Sequence, residues 1–182
     1  MQEGLIPRRY AKALYKFAQE HDATRTVYDK MLKLEQQFES QPALQEVMDN
    51  PYVSSDDKIK LLSTAAAIGD NETILSNFFK LLRENKRFEM ARAIAIAYRS
   101  LFRIENNIHQ VHVTSAAPLE PQEEKRLKDV IERHLNGGSM EYSDSVDPEL
   151  IGGFVVKIDN KVLDASISNE LKQLRIKLLS NN

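Results

Sequence analysis

Ile151-Gly152-Gly153-Phe154-Val155-Val156-Lys157-Ile158-Asp159-Asn160-Lys161-Val162-Leu163-Asp164 is the stretch on which the fold turns. Phe154, Val156 and Ile158 point one way and Val155 and Lys157 the other, the period of a half-buried strand. Asp159-Asn160-Lys161 reads as a tight turn into a short returning strand. The glycine pair precedes this strand, whereas glycines that cradle phosphates follow a strand and open onto a helix N-terminus. Close backbone approach or a bulge at the strand start is therefore the expected role of Gly152-Gly153.

Upstream, Ile108, Gln110, His112 and Thr114 alternate with His109, Val111, Val113 and Ser115, which predicts another strand ended by Pro118. Pro121-Gln122-Glu123-Glu124 opens a helix carrying Leu127, Val130, Ile131 and Leu135, and Met140, Tyr142 and Ser143 form a second strand. Downstream, Ser166 or Ser168 caps a terminal helix with Glu170 near its start and an apolar stripe of Ile167, Leu171, Leu174, Leu178 and Leu179. The order strand, helix, strand, strand, strand, helix describes a small α/β domain over residues 106–182. Its core is meagre, so the terminal helix is expected to close it with one face.

Before Asn106 the period is helical throughout. Tyr10, Leu14, Phe17 and Ala18 share a face, as do Val27, Met31, Leu34 and Phe38, with Asp22 to Thr24 as the break between the two helices. Pro42 opens a short third helix that stops before Asn50-Pro51. Ser54 or Ser55 caps a fourth, expected to bury Ile59, Leu61 and Leu62 before Gly69-Asp70-Asn71 interrupts it. A fifth runs from about Glu72 through Ile74, Leu75, Phe78, Phe79, Leu81 and Leu82. A sixth spans roughly Phe88 to Glu105, with Ala91, Ala93, Ala95 and Ala97 permitting close approach. Residues 1–105 thus read as an α-helical bundle of six helices.

Composition excludes several classes of function. The 182 residues include no Cys, which removes disulfides and thiolate metal sites. The net charge is −2 and neither half is a polycation, which argues against a nucleic-acid partner. No uninterrupted run of about 18 apolar residues occurs, and Met1-Gln2-Glu3-Gly4-Leu5-Ile6-Pro7 has no basic region followed by a hydrophobic one, so neither a spanning helix nor a secretion signal is expected. His21, His109, His112 and His134 lack metal-ligand spacing, and no nucleophile stands on a strand-to-helix elbow. No catalytic residue, cofactor or metal is expected. The first and fifth helices are apolar over more of their circumference than one buried stripe needs. Either both are central to the bundle, or they flank a groove that receives an amphipathic helix from another chain. By its residues alone the pattern fits any helical adaptor.

Three runs carry a resemblance. Arg9-Tyr10-Ala11-Lys12-Ala13-Leu14, the Asn50-Pro51 junction, and above all Leu150 through Leu171, in which Asp164-Ala165-Ser166-Ile167 follows the hairpin, make the chain similar over its whole length to the delta subunit of bacterial F-type ATP synthases. That subunit is the counterpart of the mitochondrial oligomycin-sensitivity-conferring protein. Phe154 departs from the small or aliphatic residue more usual after the glycines. The resemblance implies a non-catalytic stator subunit at the cytoplasmic face of the bacterial plasma membrane. Its helical domain is expected to grip N-terminal helices of alpha subunits through the first and fifth helices, with Tyr10, Leu14, Phe17, Leu75, Phe78, Phe79 and Leu82 as contact residues. Its α/β domain is expected to hold the b subunits of the peripheral stalk, with Gly152, Gly153, Asp164, Ser166 and Leu171 in its signature.

Overall fold

The computed structural model describes residues 4–69, 73–135 and 137–180. The N-terminal reading of Met1-Gln2-Glu3, the break read at Asp70-Asn71 and the helix start read at Glu72 lie outside them. The chain divides into two compact units at Glu105–Asn106.

Among the described residues the first unit is a bundle of six α-helices: α1 Leu5–Glu20, α2 Thr24–Ser40, α3 Ala43–Asp49, α4 Ser55–Ala65, α5 Thr73–Glu84 and α6 Ala91–Glu105. A 3-10 turn, Phe88–Met90, leads into α6. Helices α1, α4 and α5 end in turns whose positive-φ residue is not glycine: Asp22, Ala67 and Lys86. Each end is held by the paired backbone bonds of a Schellman motif, as in Ala23 N–H to Ala18 C=O at 2.8 Å and Arg87 N–H to Leu82 C=O at 2.9 Å. Ser54 caps α4 by accepting from the Asp57 amide at 3.2 Å while its hydroxyl donates to the Asp57 carboxylate at 2.7 Å.

Helix α6 packs along both α1 and α2. Ala91 and Ala95 are fully buried and allow that approach, whereas Ala93 is exposed and Ala97 only half-buried. Tyr28 stacks on Phe102 with ring centroids 4.3 Å apart, and the Tyr98 hydroxyl donates to the Thr24 carbonyl at 3.1 Å. Burial pushes the Tyr98 phenol well above its ordinary value, so it stays a hydrogen-bond donor. An ion pair also lies inside the bundle: Arg99 reaches Glu35, which is almost fully buried, at 2.8 Å.

In α4 the expectation needs correction. Leu62 is buried, but Ile59 is half-buried and Leu61 is 42% exposed. Lys58 takes the inner position at 7% exposure, its ammonium donating to the Met48 carbonyl at 2.8 Å and lying over the Phe88 ring. A long amphipathic side chain can bury its stem and satisfy the last carbonyls of α3, a use of lysine that hydrophobic spacing does not reveal.

The second unit has β1 Ile108–Ser115, α7 Pro121–His134, β2 Ser139–Val146, β3 Gly153–Ile158, β4 Lys161–Ser166 and α8 Ile167–Ser180. Its four-stranded sheet has the order β2-β1-β3-β4, with β1 and β2 parallel through the α7 crossover and the other pairs antiparallel. Val111, Val113 and Val156 meet Ile131 of α7 and Leu135 at its C-terminal cap in a small core, flanked by Leu127, Phe154 and Ile158. The helix start is fixed by a capping box between Glu120 and Glu123. The β3–β4 turn is Asp159-Asn160, and Asp159 ties it to β1 by accepting from the Gln110 amide at 3.0 Å and contacting His109 Nδ1 at 2.7 Å.

The terminal helix departs from expectation. Its stripe does not close the domain: Ile167, Leu171, Leu174, Leu178 and Leu179 all remain exposed. The sheet's apolar face is already covered by α7, so α8 meets this unit only near its start.

Candidate functional site

Two surfaces carry the candidate residues, one in each unit. Along α1, Ile6, Tyr10, Ala13 and Phe17 recur at helical spacing beside the buried row of Pro7, Ala11, Leu14 and Ala18. On α5, Ile74 and Leu81 lie beside the buried row of Leu75, Phe78, Phe79 and Leu82. The two helices touch where Tyr10 meets Phe78 edge-to-face, with ring centroids 6.4 Å apart and an interplanar angle of 75°. Phe17 and Leu81 are each 40% exposed, and Tyr10, Ile6 and Ile74 are half-buried. At the end of α1, the His21 ring lies against Phe17 with centroids 4.5 Å apart and planes tilted by 53°, and its Nδ1 donates to the Phe17 carbonyl at 2.8 Å.

The seven residues read as the contact set of this groove therefore fall into two groups. Tyr10 and Phe17 present surface. Leu14, Leu75, Phe79 and Leu82 are turned into the bundle core and Phe78 nearly so; they shape the groove from beneath rather than line it. Leu81 and Ile74, both part of the apolar breadth of α5, are the apolar residues beside that buried row that keep exposed surface. The signal that separates the groups is a phase difference of about one side-chain position on each helix, visible only once the core-facing row is fixed.

In the second unit Gly152 and Gly153 are brought against the end of β4. Gly153 has φ +74°, and a Cβ there would stand 2.2 Å from the Ala165 carbonyl oxygen. A Cβ on Gly152 would stand 2.5 Å from Cδ1 of Ile167, the first residue of α8. The glycines thus let β3 and the start of α8 approach, as their place before a strand implied. Asp164 accepts from both the Ser166 amide at 3.0 Å and the Ser166 hydroxyl at 2.6 Å, and Ser166 Oγ in turn accepts from the Asn169 amide at 3.2 Å. These bonds favour the ionised carboxylate and hold Asp164 below the ordinary carboxylate range. The four signature residues build the root of α8, and Leu171 stands one turn further out, exposed. Beside the root, Leu119, Leu127, Val130, Ile151 and Phe154 line an open apolar groove of about 590 Å³.

Neither surface gathers groups for bond-making chemistry. Among the described residues no three His, Cys, Asp or Glu side chains converge as metal ligands, and no helix is long and apolar enough to cross a membrane. What both surfaces offer is apolar area at helical spacing.

The family model described as ATP synthase delta (OSCP) subunit matches residues 6–178. The chain belongs to the ATP synthase delta (OSCP) subunit family. The ATP synthase subunit delta of Parabacteroides distasonis is 37% identical over 181 residues, covering 100% of this chain and 99% of that one. Its counterpart in Bacteroides thetaiotaomicron is 33% identical over 183 residues, covering 100% and 98%. A chain of the Toxoplasma gondii mitochondrial ATP synthase hexamer shares the fold, with a TM-score of 0.71 over 95% of this chain and 97% of that chain at 19% identity. Membership makes this a non-catalytic stator subunit that links the catalytic head of a rotary ATP synthase to its peripheral stalk. It is a peripheral part of the membrane-associated complex.

Proposed function

We propose that the six-helix unit, residues 1–105, holds the head by taking an N-terminal amphipathic helix of the alpha subunit into the α1–α5 groove, and that the α/β unit, residues 106–182, holds the b subunits of the stalk. The groove is the observation that carries the first half. Apolar surface remains at Ile6, Tyr10, Ala13 and Phe17 of α1 and at Ile74 and Leu81 of α5, the two helices that meet at Tyr10–Phe78, and its helical spacing suits an i, i+3, i+4, i+7 ligand. The exposed stripe of α8, left uncovered by its own unit, supports the second half. A stator joint must outlast many turnovers, and buried apolar contacts act mainly by slowing dissociation.

Phe17→Asp in the full chain tests the groove. Completing the burial of a ring already 60% covered contributes about 1 kcal/mol, and a carboxylate placed in the same contact adds a desolvation cost. Affinity for a peptide spanning the alpha N-terminus is expected to fall at least tenfold, about 1.4 kcal/mol, with helix content and melting temperature unchanged. Undiminished affinity in the folded variant would remove Phe17 from the interface, and the same result for Leu81→Asp would remove the groove.

A further inference from the structure

Helix α1 is charged in a way that its own stability does not explain. Arg8, Arg9, Lys12 and Lys16 are all exposed, and none has an ion-pair partner among the described residues. They fall within an arc of about 100° around the helix, with Arg9 and Lys16 opposite the buried row of Pro7, Ala11, Leu14 and Ala18. The apolar positions Ala13, Ile6 and Phe17 come next round the helix, before Tyr10 and its contact with Phe78 of α5. The first turn of α1 holds no acidic residue, so Arg8 and Arg9 stand near the positive end of the dipole without a counter-charge. Arg8–Lys12 and Lys12–Lys16 are like-charge pairs four residues apart, which repel. Other helices of the bundle pair their charges, Arg25 with Asp29 at 3.3 Å on α2 and Lys60 with Asp57 at 3.9 Å on α4. Beyond Ile74 and Leu81 on α5 stand Thr73, Asn77 and Glu84, with no cation. Positive charge therefore edges the exposed apolar surface along α1 alone.

Resting on the groove reading above, we propose that Arg9, Lys12 and Lys16 determine which helix the groove accepts and which way round it lies: an amphipathic helix whose apolar stripe is bordered on one side by carboxylates, with that side along α1. The row from Arg9 to Lys16 is about 10 Å long, two helical turns, so carboxylates at i, i+3 or i+4, and i+7 of the incoming helix match it. The long stems of Arg9 and Lys16 can lean over the neighbouring apolar row while their charged heads meet those carboxylates. Such pairs speed the encounter and fix the register, while the apolar contacts set the lifetime of the joint. Charge selects this occupant over a second copy of the chain, because α1 offers one carboxylate, Glu20, against four cations. A lipid surface fits less well, since the ridge of α1 opposite its buried row is held by Arg9 and Lys16 rather than by apolar residues that could insert.

The test titrates the full chain with a peptide spanning the alpha N-terminus of the same complex. Arg9→Glu with Lys16→Glu is expected to weaken binding about tenfold or more in 50 mM salt and less than about threefold in 0.5 M salt, with helix content unchanged. Lys33→Glu with Lys125→Glu, exposed and on neither α1 nor α5, changes the net charge equally and should cost less than about twofold. Replacing every Asp and Glu of the peptide by Asn and Gln should abolish the difference between the wild type and the α1 variant. Equal losses from the two double variants, or a loss that persists in full against the amide peptide, overturns the proposal, and Phe17→Asp still weakening binding would leave the groove reading in place. Failure of the peptide to bind the wild-type chain at all sinks both. Self-association, or binding to phosphatidylglycerol vesicles, that Arg9→Glu with Lys16→Glu abolishes while peptide affinity stays at the wild-type value would assign the basic row to a second copy or to lipid and overturn the proposal.

Discussion

Replacing Gly153 with alanine measures how much of the second unit depends on the close approach at its hairpin. Two costs combine. An L-residue at φ +74° is strained by about 1–2 kcal/mol. The added methyl would stand 2.2 Å from the Ala165 oxygen and 3.2 Å from Ser166 Cα, both backbone atoms, so relief requires β3 and β4 to separate at the Gly153–Ser166 end. Losing one or two ladder hydrogen bonds there costs about 1 kcal/mol each. The sum, about 2–4 kcal/mol, is a large share of the roughly 4–12 kcal/mol expected for a unit of this size. Hydrogen exchange followed by mass spectrometry locates the effect: amides within 153–166 should exchange about one and a half to three orders of magnitude faster, while those of α2 and α6 keep their protection. Two further variants separate the causes. Gly137 has φ +90° with open space where a methyl would stand, so Gly137→Ala carries strain alone and should shift exchange about tenfold. Gly152→Ala meets only side-chain atoms of Ile167, Cδ1 most closely, and should cost less than about 1 kcal/mol as that side chain turns aside. Equal effects from Gly153→Ala and Gly137→Ala would refute the steric reasoning.

Other consequences concern charge and helix ends. Burial outweighs the attraction of Arg99 and raises the Glu35 carboxyl above its ordinary range, so the folded bundle retains this proton at pH values where the unfolded chain has lost it. Relative to Glu35→Gln, the wild type should therefore lose stability as pH rises through that raised value; a difference that stays flat from pH 4 to 8 in urea titrations would contradict this. Glu35→Ala leaves Arg99 without its partner in the bundle and is expected to destabilise the protein by about 2–4 kcal/mol in chemical denaturation, the lower end reflecting the partial exposure of Arg99. Asp164 shows the opposite sign. Its depressed value means that its support for α8 is present above the ordinary carboxylate range and is lost as pH falls through the folded value. Asp164→Asn should therefore speed exchange of the first-turn amides of α8 at neutral pH, and acidification of the wild type should reproduce it; an unaltered α8 in both would show that the Ser166 bonds do not hold the helix start.

The reading of the hairpin from Ile151 to Asp164 required only alternation, a turn-forming pair and the tolerance of glycine for close approach, and the register of β3 with β4 follows it residue by residue. The change of period at Asn106 marked where helices give way to strands, because the two periodicities cannot coexist in one segment. Side-chain capability was harder to see. Lys58 counts as charged in any pattern, yet its stem is buried against Phe88 while its ammonium satisfies the end of α3.

Sequence by itself determined the element types, their order, the apolar face of most helices, α4 excepted, and the family to which the chain belongs, since all of these are written in local spacing and in runs of residues. Tertiary structure alone decided which apolar faces are covered. Leu75, Phe78, Phe79 and Leu82 went to the core while Leu81 stayed at the rim, and α8 kept its stripe exposed because α7 already covered the sheet. Periodicity records that a face is apolar; whether that face meets this chain or another depends on how many neighbours the fold has left to give it.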